Sequence, residues 1–295
     1  MPDIQMRFHQ DMLVLSASPE AALYQRGVKE GTPLEMIDVV DPEAVSEVTK
    51  LESSAGAQCL VTPTEGITRA RLSHERMEDR AEDLSAQALA LVQDRNPQHV
   101  IAQIGPTRLP IDPSSRASLL QNRNQYADAI RAFGDEGVDA FLFNDLMSVE
   151  DVRCACMGAR MVTDRPLFAS VVVDGKGNLR GREQSIEEAC DVMDEYEADV
   201  AGIRIAAPLD RIAAVVERMT HATQLPIMIQ LDVTRVDPRQ DEPTDDNPFY
   251  CPDTMIQAGM RLRDAGAQFL RAVGAARASY TGALVAATDG TDAIR

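Results

Sequence analysis

Nowhere does the chain carry about 18 uncharged apolar residues in succession, which excludes a conventional membrane-spanning helix. The N-terminus, Met1-Pro2-Asp3-Ile4, lacks a basic region followed by an apolar run, so no secretory signal is read and a cytoplasmic location is expected. Positive charge is scarce: 29 Lys and Arg stand against 47 Asp and Glu, a formal charge of −18. Such a field repels phosphate backbones and anionic bilayers, so neither nucleic acid nor membrane is an expected partner. Neither G-x-G-x-x-G nor G-x-x-x-x-G-K-[ST] occurs, which removes the usual sequence argument for a dinucleotide or nucleotide. The cysteines, Cys59, Cys154, Cys156, Cys190 and Cys251, are odd in number and scattered, against a disulfide framework and in keeping with a reducing compartment. His9, His74, His99 and His221 show no paired metal-ligand spacing.

What is present is a repeating alternation. Eight short runs rich in Val, Ile and Leu recur, at 12–17, 58–62, 100–104, 138–144, 167–173, 200–205, 227–231 and 268–273, each followed by a longer stretch with helical spacing. Between the fifth and sixth, Ile186, Ala189, Cys190, Met193 and Tyr196 make one apolar face, and Ser185 with Glu188 reads as a capping box. Gly56, Gly137 and Gly266 stand just before three runs, where glycine ends a helix in a left-handed conformation. A closed barrel and an open doubly wound sheet both satisfy this alternation, and the regular spacing favours closure. The fold class is therefore α/β, a (β/α)8 barrel, and 295 residues suit one such domain over 1–295. The stretch from Asp232 to Asp253, with Pro238, Pro243, Pro248 and Pro252, reads as a long irregular loop, either a lid or an acidic surface insertion.

Several phrases carry a resemblance. Asp41-Pro42-Glu43-Ala44-Val45 precedes Ala55-Gly56-Ala57-Gln58-Cys59-Leu60-Val61-Thr62-Pro63-Thr64-Glu65-Gly66-Ile67-Thr68-Arg69; Ile104-Gly105-Pro106-Thr107 and Gly137-Val138-Asp139-Ala140-Phe141-Leu142-Phe143 follow, and Gly181 and Glu187-Glu188-Ala189 come before the sixth run. In order and spacing these resemble the homocysteine S-methyltransferase family, which includes the first module of cobalamin-dependent methionine synthase and betaine-homocysteine methyltransferase. The resemblance implies the barrel, a small-molecule substrate, and methyl transfer to a zinc-bound thiolate held by three cysteines. One cysteine is expected at the end of the sixth strand and an adjacent pair after the eighth. Here Ile205 takes the first place, and Val273 and Gly274 fall at the pair. None of these side chains can donate to zinc, which takes about four ligands at roughly 2.0–2.3 Å. The expectation is no metal and no tightly bound cofactor. A free thiol, with a pKa of about 8.5, is only a few per cent thiolate at neutral pH.

Chemistry in such a barrel is built at the C-terminal strand ends. Glu65, Asn144 and Asp145 are the candidate catalytic residues, and Ser16, Glu20, Thr62, Thr64, Gln103, Arg204, Gln230, Asp232 and Arg271 the candidate substrate-binding ones. Arg204 and Arg271 adjoin the vacated ligand positions and face either the mouth, where a guanidinium can grip a carboxylate or phosphate, or the helices. Three functions stay open: methyl transfer to an acceptor other than a zinc-bound thiol, with a corrinoid or other donor and a corrinoid protein as partner by analogy; a non-catalytic binding or assembly subunit; and a lyase or hydrolase on the same barrel. Oligomeric state is left open.

Overall fold

The computed structural model of the protein describes residues 3–134 and 136–295, so Met1 and Pro2 of the N-terminal reading lie outside the described residues. Eight parallel strands, β1 Leu13–Leu15, β2 Cys59–Val61, β3 His99–Ile104, β4 Ala140–Leu146, β5 Leu167–Val173, β6 Val200–Ile205, β7 Ile227–Val233 and β8 Phe269–Gly274, close into a barrel in sequential order. Helices α1 Glu20–Gln25, α2 Leu34–Val40 and α3 Pro42–Ser54 follow β1, and α4 Arg69–Leu72 and α5 Ala81–Gln93 follow β2. One helix then follows each strand: α6 Arg116–Arg131, α7 Val149–Arg160, α8 Ile186–Glu195, α9 Leu209–Ala222, α10 Thr254–Asp264 and α11 Ala278–Thr288. This is the (β/α)8 fold expected from the alternation. No helix among the described residues is long and apolar enough to cross a membrane.

Local chemistry accounts for the element ends. Asp41 caps α3 by accepting from the Ala44 N–H at 3.1 Å, and Pro42 occupies the first helical position, where it has no N–H to lose. The capping box at α8 forms as read: Ser185 Oγ accepts from Glu188 N–H and the Glu188 carboxylate accepts from Ser185 N–H. Gly56 and Gly266 take φ of +93 and +105° directly after the caps of α3 and α10, the left-handed helix ends anticipated, whereas α6 ends at Arg131 and Gly137, at φ +85°, lies beyond it in the loop before β4.

Strand alternation divides the apolar residues in two. Val14, Leu60, Ala102, Phe143, Ile203, Ile205, Leu231 and Ala272 face the helices in the larger core. Leu13, Leu15, Cys59, Ile101, Leu142, Phe168, Met228 and Phe269 fill the barrel interior at its N-terminal end. Phe8, carried on the turn after Ile4–Arg7, packs edge-on against Phe168 and Phe269 with centroids 6.2 and 5.8 Å away and plugs that end. The four cysteines outside the long loop are packing residues: Cys59, Cys154, Cys156 and Cys190 are buried, and burial lifts their thiols to about 12, 11, 12 and 12.

The loop from Asp232 to Asp253 is irregular beyond Val233 and tied down. Gln240 and Asn247 bond to each other, Tyr250 Oη donates to Asp241 O, and Tyr280 Oη donates to Phe249 O at 3.2 Å. Beyond Thr234 none of it lines the two mouth cavities described below, so the loop sits as a packed insertion beside the mouth.

Two buried carboxyls on α2 went unread in the sequence. Glu35 accepts the Gly66 N–H, tying α2 to the loop after β2, while Asp38 Oδ1 is buried without a partner. Burial and the neighbouring Glu35 push Asp38 up to about 8. Because the folded pKa lies above the unfolded value near 3.9, the protonated carboxyl favours folding below that value, and the contribution fades as pH rises towards 8. Asp38→Asn is expected to lose less stability between pH 5 and pH 9 than the parent, a difference on the order of 2 kcal/mol in denaturant titrations. Parallel stability curves would overturn this assignment.

Candidate functional site

Above the apolar plug the barrel interior turns polar. Arg271 on β8 is 1% exposed. Its Nε donates to Ser16 O at 2.9 Å, and its Nη1 donates to Gln103 Oε1 at 2.7 Å and Gln230 Oε1 at 3.2 Å. From there the bonds run in two arms. Gln103 Nε2 donates to Glu65 Oε2 at 3.0 Å. Gln230 Nε2 donates to Asn144 Oδ1 at 2.7 Å, and Asn144 Nδ2 donates to the same Glu65 oxygen at 3.2 Å. The result is a closed ring, Arg271–Gln103–Glu65–Asn144–Gln230. One pole only donates and the other only accepts, so every amide orientation in the ring is fixed.

Thr62 and Thr64 hold this ring from behind. Their hydroxyls bond to each other at 2.6 Å, Thr64 Oγ1 donates to Gln103 O at 2.7 Å, and Thr62 Oγ1 accepts from Gln103 N–H at 3.0 Å. Ser16 Oγ accepts from Val61 N–H, and Ser170 Oγ accepts from Gln230 Nε2. Ser16, Thr62, Thr64, Gln103, Asn144, Gln230 and Arg271 are thus buried beneath the mouth and line neither mouth cavity.

A second tier stands at the mouth. Arg204 Nη1 donates to Asp145 Oδ2 at 2.5 Å and its Nε to Asp232 Oδ2 at 3.1 Å. Adjacent strand residues normally point to opposite faces, yet Asn144 and Asp145 both turn inward. The register of β4 against β5 shifts between Phe143 and Leu146, and Asp145 takes a left-handed φ of +55°. This irregularity re-aims the carboxylate, a use to which bulges beside functional sites are put.

Arg204 and Arg180 border two cavities in common. One, of about 530 Å³, is bounded by Glu65, Asp145, Arg204 and the loops after β3, β4 and β5. The other, of about 640 Å³, is bounded by Glu20, Tyr24, Asp232 and Gly274. Burial and the nearby charge of Glu65 push Glu20 up to about 7, against the opposing pull of Arg271 and Arg204; its carboxylate also takes the Ser18 hydroxyl. Burial lifts Asp145 to about 6 despite Arg204. Asp145 Oδ1 is buried and has no hydrogen-bond partner. Each cavity thus holds one carboxyl near neutrality, a state suited to proton transfer to or from a reacting group.

The sequence profile of the homocysteine S-methyltransferase family matches residues 15–275. This chain belongs to that family. Among solved structures, homocysteine methyltransferase MmuM from Escherichia coli matches in its metallated form with a TM-score of 0.74 at 16% identity, over 94% of this chain and 96% of that one. Its apo form gives 0.70 at 16% identity, over 95% and 97%. The carboxyl transferase domain of Rhizobium etli pyruvate carboxylase, crystallised as the Y628A variant with pyruvate, gives 0.53 at 12% identity over 91% of this chain and 41% of that one. At these identities the likeness is one of fold. No curated protein matches the chain.

The family's zinc site can be tested against the residues present. Ile205 turns away from the mouth and packs in the strand–helix core, so it does not meet Val273 across the opening. Gly274 has φ +71°, and a Cβ there would lie 2.3 Å from Asp232 Oδ1 and 2.7 Å from Val233 O. The carboxylate of Asp232 therefore fills the space a cysteine at 274 would need. Among the described residues no three His, Cys, Asp or Glu stand together where they could hold a metal ion.

Arg108, Arg180 and Arg182 also line the first cavity, and sequence reasoning missed them: they lie on loops outside the apolar runs that located the strand ends. Gly274→Ala is expected to cost about 1–3 kcal/mol in unfolding free energy from the left-handed backbone and the crowding of Asp232, and Asp232→Asn is not expected to relieve it, because Val233 O remains. Full stability of the single variant would show that Asp232 moves freely and that the vacated position can be refilled.

Proposed function

We propose that this chain transfers a methyl group in the barrel mouth to an acceptor other than a zinc-bound homocysteine thiol. The observation that carries this reading is the Asp145–Arg204–Asp232 cluster bordering the open 530 Å³ cavity, with Ile205, Val273 and Gly274 at the expected ligand positions. Family membership supplies the reaction class, and the open mouth favours catalysis over the alternative of a non-catalytic binding subunit, which would fit a filled barrel.

In this reading an acceptor N–H, O–H or S–H lies against the Asp145 carboxylate where it borders the cavity. The acceptor lone pair attacks the methyl carbon, the bond from methyl to donor breaks with its electrons leaving on the donor, and the acceptor proton passes to the carboxylate. Glu65 is committed to the ring and orients Gln103 and Asn144. Glu20, in the second cavity, is a second proton acceptor near neutrality. Arg204 holds Asp145 in place and offsets the negative charge that develops beside it. A corrinoid protein presenting a methyl group at the mouth is the donor that family analogy favours, and no tightly bound cofactor is required of the chain itself.

The test is label transfer from methylcobalamin carrying a labelled methyl group to pools of small acceptors. Activity is expected without added zinc, rising with pH through about 6, and Asp145→Asn is expected to lower it by about 10²–10⁴-fold and remove that limb of the pH profile. Stoichiometric zinc in the purified protein together with methylation of homocysteine would overturn the reading.

A further inference from the structure

We infer that the 530 Å³ cavity recognises an acceptor through an oxyanion, a carboxylate or phosphate group, held by Arg108 and Arg180 at the outer end of the cavity. The inference deepens the proposed function by naming the acceptor class. Four guanidiniums, of Arg108, Arg180, Arg182 and Arg204, line this one cavity in a chain of formal charge −18. The three carboxylates that line it are already engaged. Asp145 is bound by Arg204, and Glu65 by Gln103 and Asn144. Asp151 accepts the Tyr126 hydroxyl at 2.6 Å and lies within the electrostatic reach of Arg182. Arg108 and Arg180, by contrast, have no side-chain hydrogen bond or ion pair among the described residues.

Both are set in place by built backbone. Arg108 is held at a left-handed φ of +59°, and the preceding Thr107, 2% exposed, takes the Leu109 N–H on its hydroxyl. Of the six non-glycine residues with positive φ among the described residues, two, Arg108 and Asp145, line this cavity; strain of this kind concentrates at ligand sites. Arg180 lies on a short ledge folded back over β5: its N–H donates to Val172 O at 2.9 Å, and the adjoining Leu179 is 1% exposed and pairs with Val173. Two donor forks that the protein leaves unpaired, on anchored backbone at one cavity of ligand size, are the kind of group that grips an oxyanion in two-point fashion. The acceptor's reacting atom would then point inward, towards Asp145.

Calorimetric titration with sodium succinate and, separately, with inorganic phosphate at constant ionic strength tests this on the whole chain. Saturable binding of either ion is expected, with succinate alone indicating a carboxylate acceptor and phosphate alone a phosphorylated one. Arg108→Gln and Arg180→Gln are each expected to weaken binding by about tenfold or more, the loss of one charge-assisted contact. Arg235→Gln, on the packed loop, is expected to leave it unchanged. Both forks are exposed and unpartnered, so the variants should melt like the parent without ions. Absence of binding by both ions, or a double variant that binds like the parent, overturns the inference. Oxyanion binding without methyl transfer would instead refute the proposed reaction alone, and transfer unaffected by the double variant would refute the oxyanion site alone.

Discussion

The rest of the site depends on one constraint: a buried guanidinium, Arg271, and the Glu65 carboxylate are joined through three amides inside the barrel. Neither charge touches the other. Arg271 can only donate and Glu65 in its ionised form can only accept, so Gln103, Gln230 and Asn144 are each compelled to one orientation. The ring ties β3, β4, β7 and β8 to the loop after β2, setting the floor of the mouth to within a hydrogen-bond length. Removing a partner would strand a donor or acceptor away from water, which makes such networks costly to break and structurally decisive.

On that floor the mouth manages its charge unevenly. Arg204 is clamped by two aspartates, and the cluster stands where family resemblance would place metal chemistry. Glu20 and Asp145 are left partly desolvated, with proton affinities near the working range of a cell. The outer arginines remain unsatisfied. Arg108, Arg180 and Arg182 thus gather positive side chains at one cavity of a strongly negative protein.

The fold was legible because two periodicities and a few punctuating residues agree. Every strand was located within about two residues, Gly56 and Gly266 end helices as read while Gly137 turns the loop before β4, and Ser185 with Glu188 starts α8. The candidate residues were recognisable only as occupants of strand ends. Their division into buried ring and open mouth was not, since it depends on which way each strand faces at its last residues. Ile205 shows the difficulty: it occupies the expected ligand position in the sequence but faces the helices. Asn144 and Asp145 show the converse, since a register shift lets neighbours share a face. Arg108 and Arg180 lie on loops whose backbone is set by contacts distant in sequence, and Glu35 and Asp38 sit in a helix whose apolar pattern gives no sign of buried acids.

The aromatic plug has a kinetic meaning. Phe8, Phe168 and Phe269 seal the N-terminal end, so the barrel is blind at its base and everything that reacts inside has a single doorway. An acceptor seated in the first cavity lies between the floor and any donor arriving from outside. Were methyl transfer to proceed as proposed, an acceptor would load before a macromolecular donor docked and the methylated product would wait for that donor to depart, a last-in, first-out sequence.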